Sequence, residues 1–206
     1  MSGYGEIDVV LPAFAASALS FVFIAFLYMK INAYPTGVNI DMDARGNPGP
    51  KGTLVDELSK QVRDGSIKFL TVEYTYLAVF VLALAGTLFG LFYATESSLI
   101  ATSVSVSFVS GATLSASAGW WGMMVATDGN RKTTSACAGC ERYNKKATLN
   151  DGLEVAFTTG AVMGFAVVGL GLTGATVCYM VLSKRIAGGF TAAKTMQCLA
   201  GFGFGA

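Results

Sequence analysis

The amino-acid sequence predicts an all-α polytopic membrane protein, with four transmembrane helices plus the start of a fifth. Only 13% of the 206 residues are charged, whereas a soluble domain carries about 25%. The chain has no histidine and a net charge of +1, so it lacks the usual acid–base residue and the basic character of nucleic-acid-binding proteins. The uncharged residues form four long runs, Val9–Met29, Tyr74–Thr95, Ser97–Thr127 and Val155–Ser183.

Each run is long enough to span a bilayer, whose hydrocarbon core requires about 20 apolar residues. We therefore predict one partial membrane domain, 1–206, with helices at about 9–31, 72–95, 98–127, 154–183 and, truncated, 189–206. We interpret the first run as a transmembrane helix rather than a signal peptide, because acidic Glu6 and Asp8 precede it and Lys30 follows it.

Lysine and arginine predict the orientation of the chain. Eleven of the 14 basic residues lie between the first and second runs or between the third and fourth runs, with Lys30 at the start of the first of these segments. The loops, about 32–71 and 128–153, are therefore predicted to be cytosolic, with a lumenal or external N-terminus. Within the first loop, Tyr34–Gly52 has the composition of an irregular linker. Thr53–Leu70 is predicted to form a helix capped by Thr53, which either lies at the interface or runs directly into the second span.

Small residues recur at helical spacing in the third and fourth runs. Such stripes let helix backbones approach closely in lipid, and helix packing is the predicted role. A glycine-lined ion path is the alternative, but it also requires an ionisable residue at mid-depth, which the four complete runs lack. The residues are Gly111, Ser115, Gly119, Gly160, Gly164, Gly171 and Ala175.

Four cysteines are the next candidates for chemistry. Cys137 and Cys140 form a CxxC motif in a basic segment, which is compatible with incidental small residues, a redox pair or a metal site. A zinc site would require a second ligand pair, which is not available nearby. Cys178 and Cys198 lie among apolar residues and are predicted to pack there.

Aromatic, acidic and basic residues near the ends of the runs complete the candidates. Tyr93, Trp120 and Trp121 are typical of an aromatic belt, with substrate stacking as the alternative. Glu73, Glu96 and Glu154 lie at run ends, unlike the mid-helix carboxylate of a rotary-ATPase proteolipid. A basic cluster is interpreted as a topology signal, with contact to phosphate or anionic lipid as the alternative. Its members are Arg131, Lys132, Arg142, Lys145 and Lys146.

Four segments resemble the membrane-integral, ion-translocating (H⁺-pumping) inorganic pyrophosphatases. Matches run in order from about residue 54 to the end, and the match of GLEVAFTTGAVMGFAVVGLGLTG is the most specific. Asp128 and Gly129 depart from the family, which more often has small residues there, and so does the loop Ser135–Lys146. The segments are VRDGSIKFLTVEY, SGATLSASAGWWGMMVATDGNRKTT, GLEVAFTTGAVMGFAVVGLGLTG and GFGFGA.

The resemblance implies a pump that couples hydrolysis of cytosolic pyrophosphate to the transport of H⁺ or Na⁺. It implies a homodimer with sixteen helices per subunit in two concentric rings, embedded in a lipid bilayer. Mg²⁺, and in some members K⁺, would be the cofactors, and no nucleic acid would be bound. The membrane would be vacuolar or acidocalcisome-type in a eukaryote and the cell membrane in a prokaryote.

The resemblance carries over no catalytic, cofactor-binding or metal-binding residue onto residues 1–206. The aspartates that bind Mg²⁺ and pyrophosphate in the family follow the GFGFGA segment. This chain is therefore expected to be an N-terminal fragment that supplies outer-ring scaffold and is inactive alone. The alternatives are a non-enzymatic assembly or scaffold subunit derived from the family, and an unrelated proteolipid-like or claudin-like protein.

Overall fold

Five α-helices follow one another along the chain. They are α1 (Glu6–Asn32), α2 (Pro50–Thr95), α3 (Ser98–Ala138), α4 (Leu149–Ile186) and α5 (Ala192–Gly205). The computed structural model describes residues 6–34, 36, 40–41, 49–139, 148–186 and 192–206, and all regular structure within these ranges is helical. Helices α1 to α4 are long and apolar enough to cross a membrane, by length and composition. The predicted class, an all-α multi-pass membrane protein, is confirmed.

Helix α2 continues without a break from a charged segment into the second uncharged run. It has 46 residues, which corresponds to about 69 Å at 1.5 Å per residue, against a hydrocarbon core of about 30 Å. The segment Thr53–Leu70 therefore runs directly into the span, which was one of the two arrangements that the sequence left open.

The first turn of α2 is capped by a residue that precedes it by several positions. The carboxylate of Asp41 accepts the backbone N–H groups of Lys51 and Gly52, both at 2.9 Å. The helix begins at Pro50 rather than Thr53, and the Thr53 hydroxyl donates to the carbonyl oxygens of Gly49 and Pro50. The predicted Thr53 cap is therefore wrong, because Asp41 already occupies the orphan amides.

Asp41 titrates below its ordinary range as a result of this capping. Burial by itself raises the pKa of the Asp41 carboxyl, but the two backbone N–H groups favour the ionised form more strongly, so that the pKa is lowered overall.

The remaining helix ends also have local explanations. Helix α4 starts after Thr148, whose hydroxyl accepts the N–H of Asp151 at 3.2 Å, as an N-cap does, and also donates to the Asp151 carboxylate. Helix α3 ends before Gly139, which has a positive φ of 80° that glycine adopts without strain. Glu96 and Ser97 alone connect α2 to α3.

The helices contribute to two compact units. The first contains Val72–Gly119, Val167–Ala206 and the part of α1 up to Ser20. Its core is formed by Ile100, Val104, Leu182 and Cys198, with Phe92 and Cys178 packed against them. The second contains Phe21–Thr71 and Trp120–Ala166, where the rings of Phe23 and Phe165 stack at 5.5 Å and Val155 is fully buried.

Many hydroxyl groups of α3 are satisfied within the helix itself. Each of several side chains donates to the carbonyl oxygen four residues earlier, at 2.7 to 3.0 Å. Such bonds remove the cost of carrying an unpaired hydroxyl into an apolar environment. These residues are Thr102, Ser103, Thr113, Ser117 and Thr127.

Candidate functional site

An ionic network occupies α3 immediately after its uncharged run. The Asp128 carboxylate contacts the Arg131 guanidinium at 2.8 Å and the Lys132 ammonium at 2.9 Å. Spacings of three and four residues place all three side chains on one face of the helix. Arg131 also approaches the carboxylate of Asp56, on α2, at 3.7 Å. The network therefore joins α2 to α3 in the second unit.

Lys132 is the buried member of this network. Its side chain is only 4% exposed, and its ammonium also donates to the Asn32 side-chain oxygen at 2.9 Å. A buried ammonium requires a compensating charge, which Asp128 provides. Removing one partner of such a pair costs about 3–5 kcal/mol, because the other charge is left uncompensated.

The last turn of α1 contacts both α3 and α4. Asn32 accepts the bond from Lys132, and Lys30 forms an ion pair with Glu154 of α4 at 2.6 Å. Between them, Ile31 is only 2% exposed. Tyr34 follows at the end of the helix, where burial and then the negative charge of Glu154 raise the pKa of its hydroxyl.

These contacts change the interpretation of the predicted basic cluster. Arg131 and Lys132 form ion pairs within the protein, and Lys132 is buried, whereas the Arg131 side chain is 30% exposed. The other members, Arg142, Lys145 and Lys146, lie outside the described residues. The assignment of the cluster as a topology signal stays a prediction.

A glycine seam, formed by Gly111, Gly201 and Gly205, brings α3 and α5 into backbone contact. A Cβ atom at Gly111 would overlap the carbonyl oxygen of Phe202, and one at Gly205 would overlap that of Phe108. A Cβ at Gly201 would lie 2.9 Å from the carbonyl oxygen of Val104. The predicted packing role of Gly111 is confirmed, and the sequence analysis missed its partners in the GFGFG segment.

Gly119 also makes room for a neighbour. The Tyr74 hydroxyl donates to the carbonyl oxygen of Ala116 at 2.8 Å, and a Cβ at Gly119 would lie 2.7 Å from that hydroxyl oxygen. The small residue therefore permits a hydrogen bond between α2 and α3, and its predicted packing role is confirmed.

The glycines predicted to form a packing stripe on α4 have no packing partner among the described residues. At Gly160, Gly164 and Gly171, no atom of the described residues lies within 4 Å of a Cβ position. The glycine of α4 that does pack is Gly174, against Leu114 and Phe202. Residue spacing identifies a helix face but does not determine which helix lies against it, so the packing role of these three glycines stays a prediction.

A cavity of about 430 Å³ lies between α3 and α4 in the first unit, with Phe202 at one side. Its lining is mostly apolar, but it includes Ser107 and Cys178, whose side chains are 3.3 Å apart. Cys178 and Cys198 pack in the apolar core, as predicted. Cys137 contacts Gly152, whereas Cys140 lies outside the described residues, so a CxxC site stays a prediction.

The aromatic residues assigned to a membrane belt differ in exposure. Tyr93 is 62% exposed and Trp121 is 65% exposed, whereas Trp120 is partly buried. The belt itself stays a prediction.

The carboxylates that the structure describes do not fit the Mg²⁺ that the family resemblance implies. Among the described residues, no group of three potential ligands could hold a metal ion. Asp128 is engaged by two cationic side chains, Glu154 by Lys30, and Glu96 by Lys194 at 3.0 Å. A hard cation requires several free oxygen ligands, which these ion pairs do not offer.

Continuous apolar helices, a backbone-to-backbone glycine seam and a buried ion pair define a multi-pass membrane protein of closely packed helices. Comparison with known proteins then places it in a family. The family model described as inorganic H⁺ pyrophosphatase matches residues 18–206, and the chain belongs to this family.

Curated relatives agree with this assignment. The chain is 31% identical over 150 residues to a K⁺-insensitive pyrophosphate-energized proton pump of Methanosarcina mazei, covering 73% of this chain and 19% of the pump. It is 33% identical over 136 residues to a K⁺-stimulated pyrophosphate-energized sodium pump of Thermotoga maritima, covering 66% and 17%. A proton pump of Moorella thermoacetica is 30% identical over 160 residues, with 77% and 20% covered. The chain spans about a fifth of the length of these relatives.

Proposed function

We propose that this chain is the N-terminal part of a membrane pump that couples hydrolysis of cytosolic pyrophosphate to ion transport. The match of the family model to residues 18–206 carries the proposal. The transported ion is H⁺ or Na⁺, since relatives named for each ion have similar identity to the chain. The complete pump is a homodimer that requires Mg²⁺, and in some forms K⁺.

Within such a pump, residues 1–206 act as outer-ring scaffold rather than as the catalytic centre. Three observations support this role. The glycine seam fixes α5 against α3. The Asp128 network joins α2 to α3, and both of its carboxylates, those of Asp56 and Asp128, are held in ion pairs. The distribution of lysine and arginine supports a lumenal or external N-terminus, and an endomembrane or cell membrane is the location.

The size of the native protein is the first test. An antibody against residues 137–146 is applied to a membrane fraction of the source cells. We expect a band several times larger than 21.4 kDa, together with pyrophosphate-driven acidification or sodium uptake in vesicles from the same fraction. A band near 21 kDa, with no separately encoded partner that co-purifies as a pyrophosphatase, would favour a non-enzymatic assembly subunit instead.

The purified chain provides the second test. With Mg²⁺ and pyrophosphate, it should release no phosphate above a blank without protein, because no group of three potential ligands among the described residues could hold the metal ion. Mg²⁺-dependent phosphate release that co-purifies with the 206-residue chain would contradict the scaffold role.

A further inference from the structure

Helix α1 is exposed over most of its length. The exposed fraction reaches 67% at Leu11, 65% at Val22 and 66% at Met29. Within a bilayer, such side chains gain nothing by moving from lipid to protein, since lipid tails are equally apolar. Apolar burial alone therefore does not explain how the helix is held in place.

The exception is the last turn of α1. Ile31 is almost completely buried, and Asn32 accepts a hydrogen bond from a lysine of α3 that is itself buried. The adjacent ion pair between Lys30 and Glu154 is more than 40% exposed on both sides. Exposed ion pairs contribute little to stability, so the hydrogen bond that Asn32 accepts from the buried ammonium of Lys132 is the stronger attachment.

We infer that Asn32, Lys132 and Asp128 form a polar clasp that holds the cytosolic end of α1 against α3. Asp128 compensates the charge of Lys132, and Lys132 then presents its remaining donors to Asn32. The contact with Asn32 depends on the ion pair with Asp128. Loss of Asp128 leaves the Lys132 ammonium uncompensated, whereas loss of Asn32 removes only the contact with α1. The clasp is a conformational device separate from pyrophosphate hydrolysis, and opening it releases the last turn of α1.

The test measures the accessibility of Ile31, which the clasp keeps buried. An Ile31→Cys variant of the full chain is reconstituted in lipid nanodiscs and labelled with N-ethylmaleimide, and labelling at position 31 is separated from the native cysteines by peptide mass. Asn32→Leu and Lys132→Met should each raise the labelling rate about tenfold, as expected when a charge-assisted hydrogen bond is lost. The charge-matched control is Lys60→Met, an exposed position on α2, which should leave the rate within about twofold.

Two further variants separate the clasp from general loss of stability. Asn32→Asp keeps an acceptor for Lys132 and should leave labelling slow, whereas Glu154→Gln should change it only slightly. In Asn32→Leu, labelling of Cys198, which is buried in the first unit, should stay at the parent rate. The inference is overturned if Asn32→Leu labels no faster than Lys60→Met, if Glu154→Gln has an equal effect, or if Cys198 becomes accessible to the same extent.

Discussion

Substituting one glycine of the seam should loosen α5 from α3. In Gly201→Ala, the new Cβ would lie 2.9 Å from the carbonyl oxygen of Val104, whereas ordinary contact begins at 3.4 Å. The Val104 carbonyl belongs to the backbone and cannot rotate aside, so α5 must move about 0.5 Å away from α3 at this contact. Overpacking of this kind costs about 1–3 kcal/mol, which is roughly a 5- to 150-fold increase in the detached population.

The same helix contains the matched control. At Gly203, no atom of the described residues lies within 4 Å of a Cβ position, apart from the chain neighbours and the backbone of the helix itself. Gly203→Ala should therefore gain only the better helix propensity of alanine, about 0.5–1 kcal/mol. The difference in stability between the two variants therefore isolates the steric cost of a Cβ atom at position 201.

Cys198 provides the assay, because it lies on α5 three residues before Gly201 and is fully buried. Its alkylation rate in nanodiscs, read by peptide mass, should rise in Gly201→Ala and remain at or below the parent value in Gly203→Ala. Equal rates in the two variants would refute the assignment of the seam as the contact that holds α5.

Three other predictions use the same preparation. Gly119→Ala should lower the melting temperature, because the new methyl group crowds the Tyr74 hydroxyl. Adding Tyr74→Phe should restore part of the lost melting temperature. No recovery in the double variant would argue against this contact. The pKa of Asp41 is lowered in the folded chain, so protection of the first α2 amides from hydrogen exchange should be complete above about pH 4 and be lost as the pH falls through the folded pKa. Asp41→Asn should remove this pH dependence, and its persistence would exclude Asp41 as the cause. Glu154→Gln should cost less than about 1 kcal/mol, because its ion pair with Lys30 is exposed; a larger loss in thermal unfolding would count against that reasoning.

The helices were predictable because the bilayer imposes a simple rule. A run of about 20 uncharged residues has to satisfy its backbone internally, which favours a helix wherever the run occurs. Three of the four runs accordingly lie within one helix of the structure, and the third does so except for its first residue, Ser97. The extensions beyond the runs were less predictable, since Asp128 and Lys132 continue α3 as helix where the sequence suggested a loop.

The contacts between helices depend on tertiary partners that spacing does not reveal. Gly160 and Gly164 have a recognised packing spacing and yet no packing partner among the described residues, whereas Gly201 packs tightly in the GFGFGA segment, which the sequence analysis used only for the family resemblance. Asp41 caps α2 although it precedes the helix by several residues, and no local sequence pattern indicates this contact. Lys132 was interpreted by its charge alone, and only the fold places it beside Asp128 and Asn32.

The short connection between α2 and α3 has a consequence for how the protein enters its membrane. The candidate span in α3 has a mean hydropathy of 1.5, the lowest of the four, against 2.2 for α2. With two linking residues, and with hydrogen bonds from Ser105 to Ala85 and from Tyr74 to Ala116, the two helices form one antiparallel hairpin. The more apolar α2 can therefore promote the partitioning of the serine-rich α3 from the translocon into the bilayer. Membrane insertion of α3 then depends on both helices.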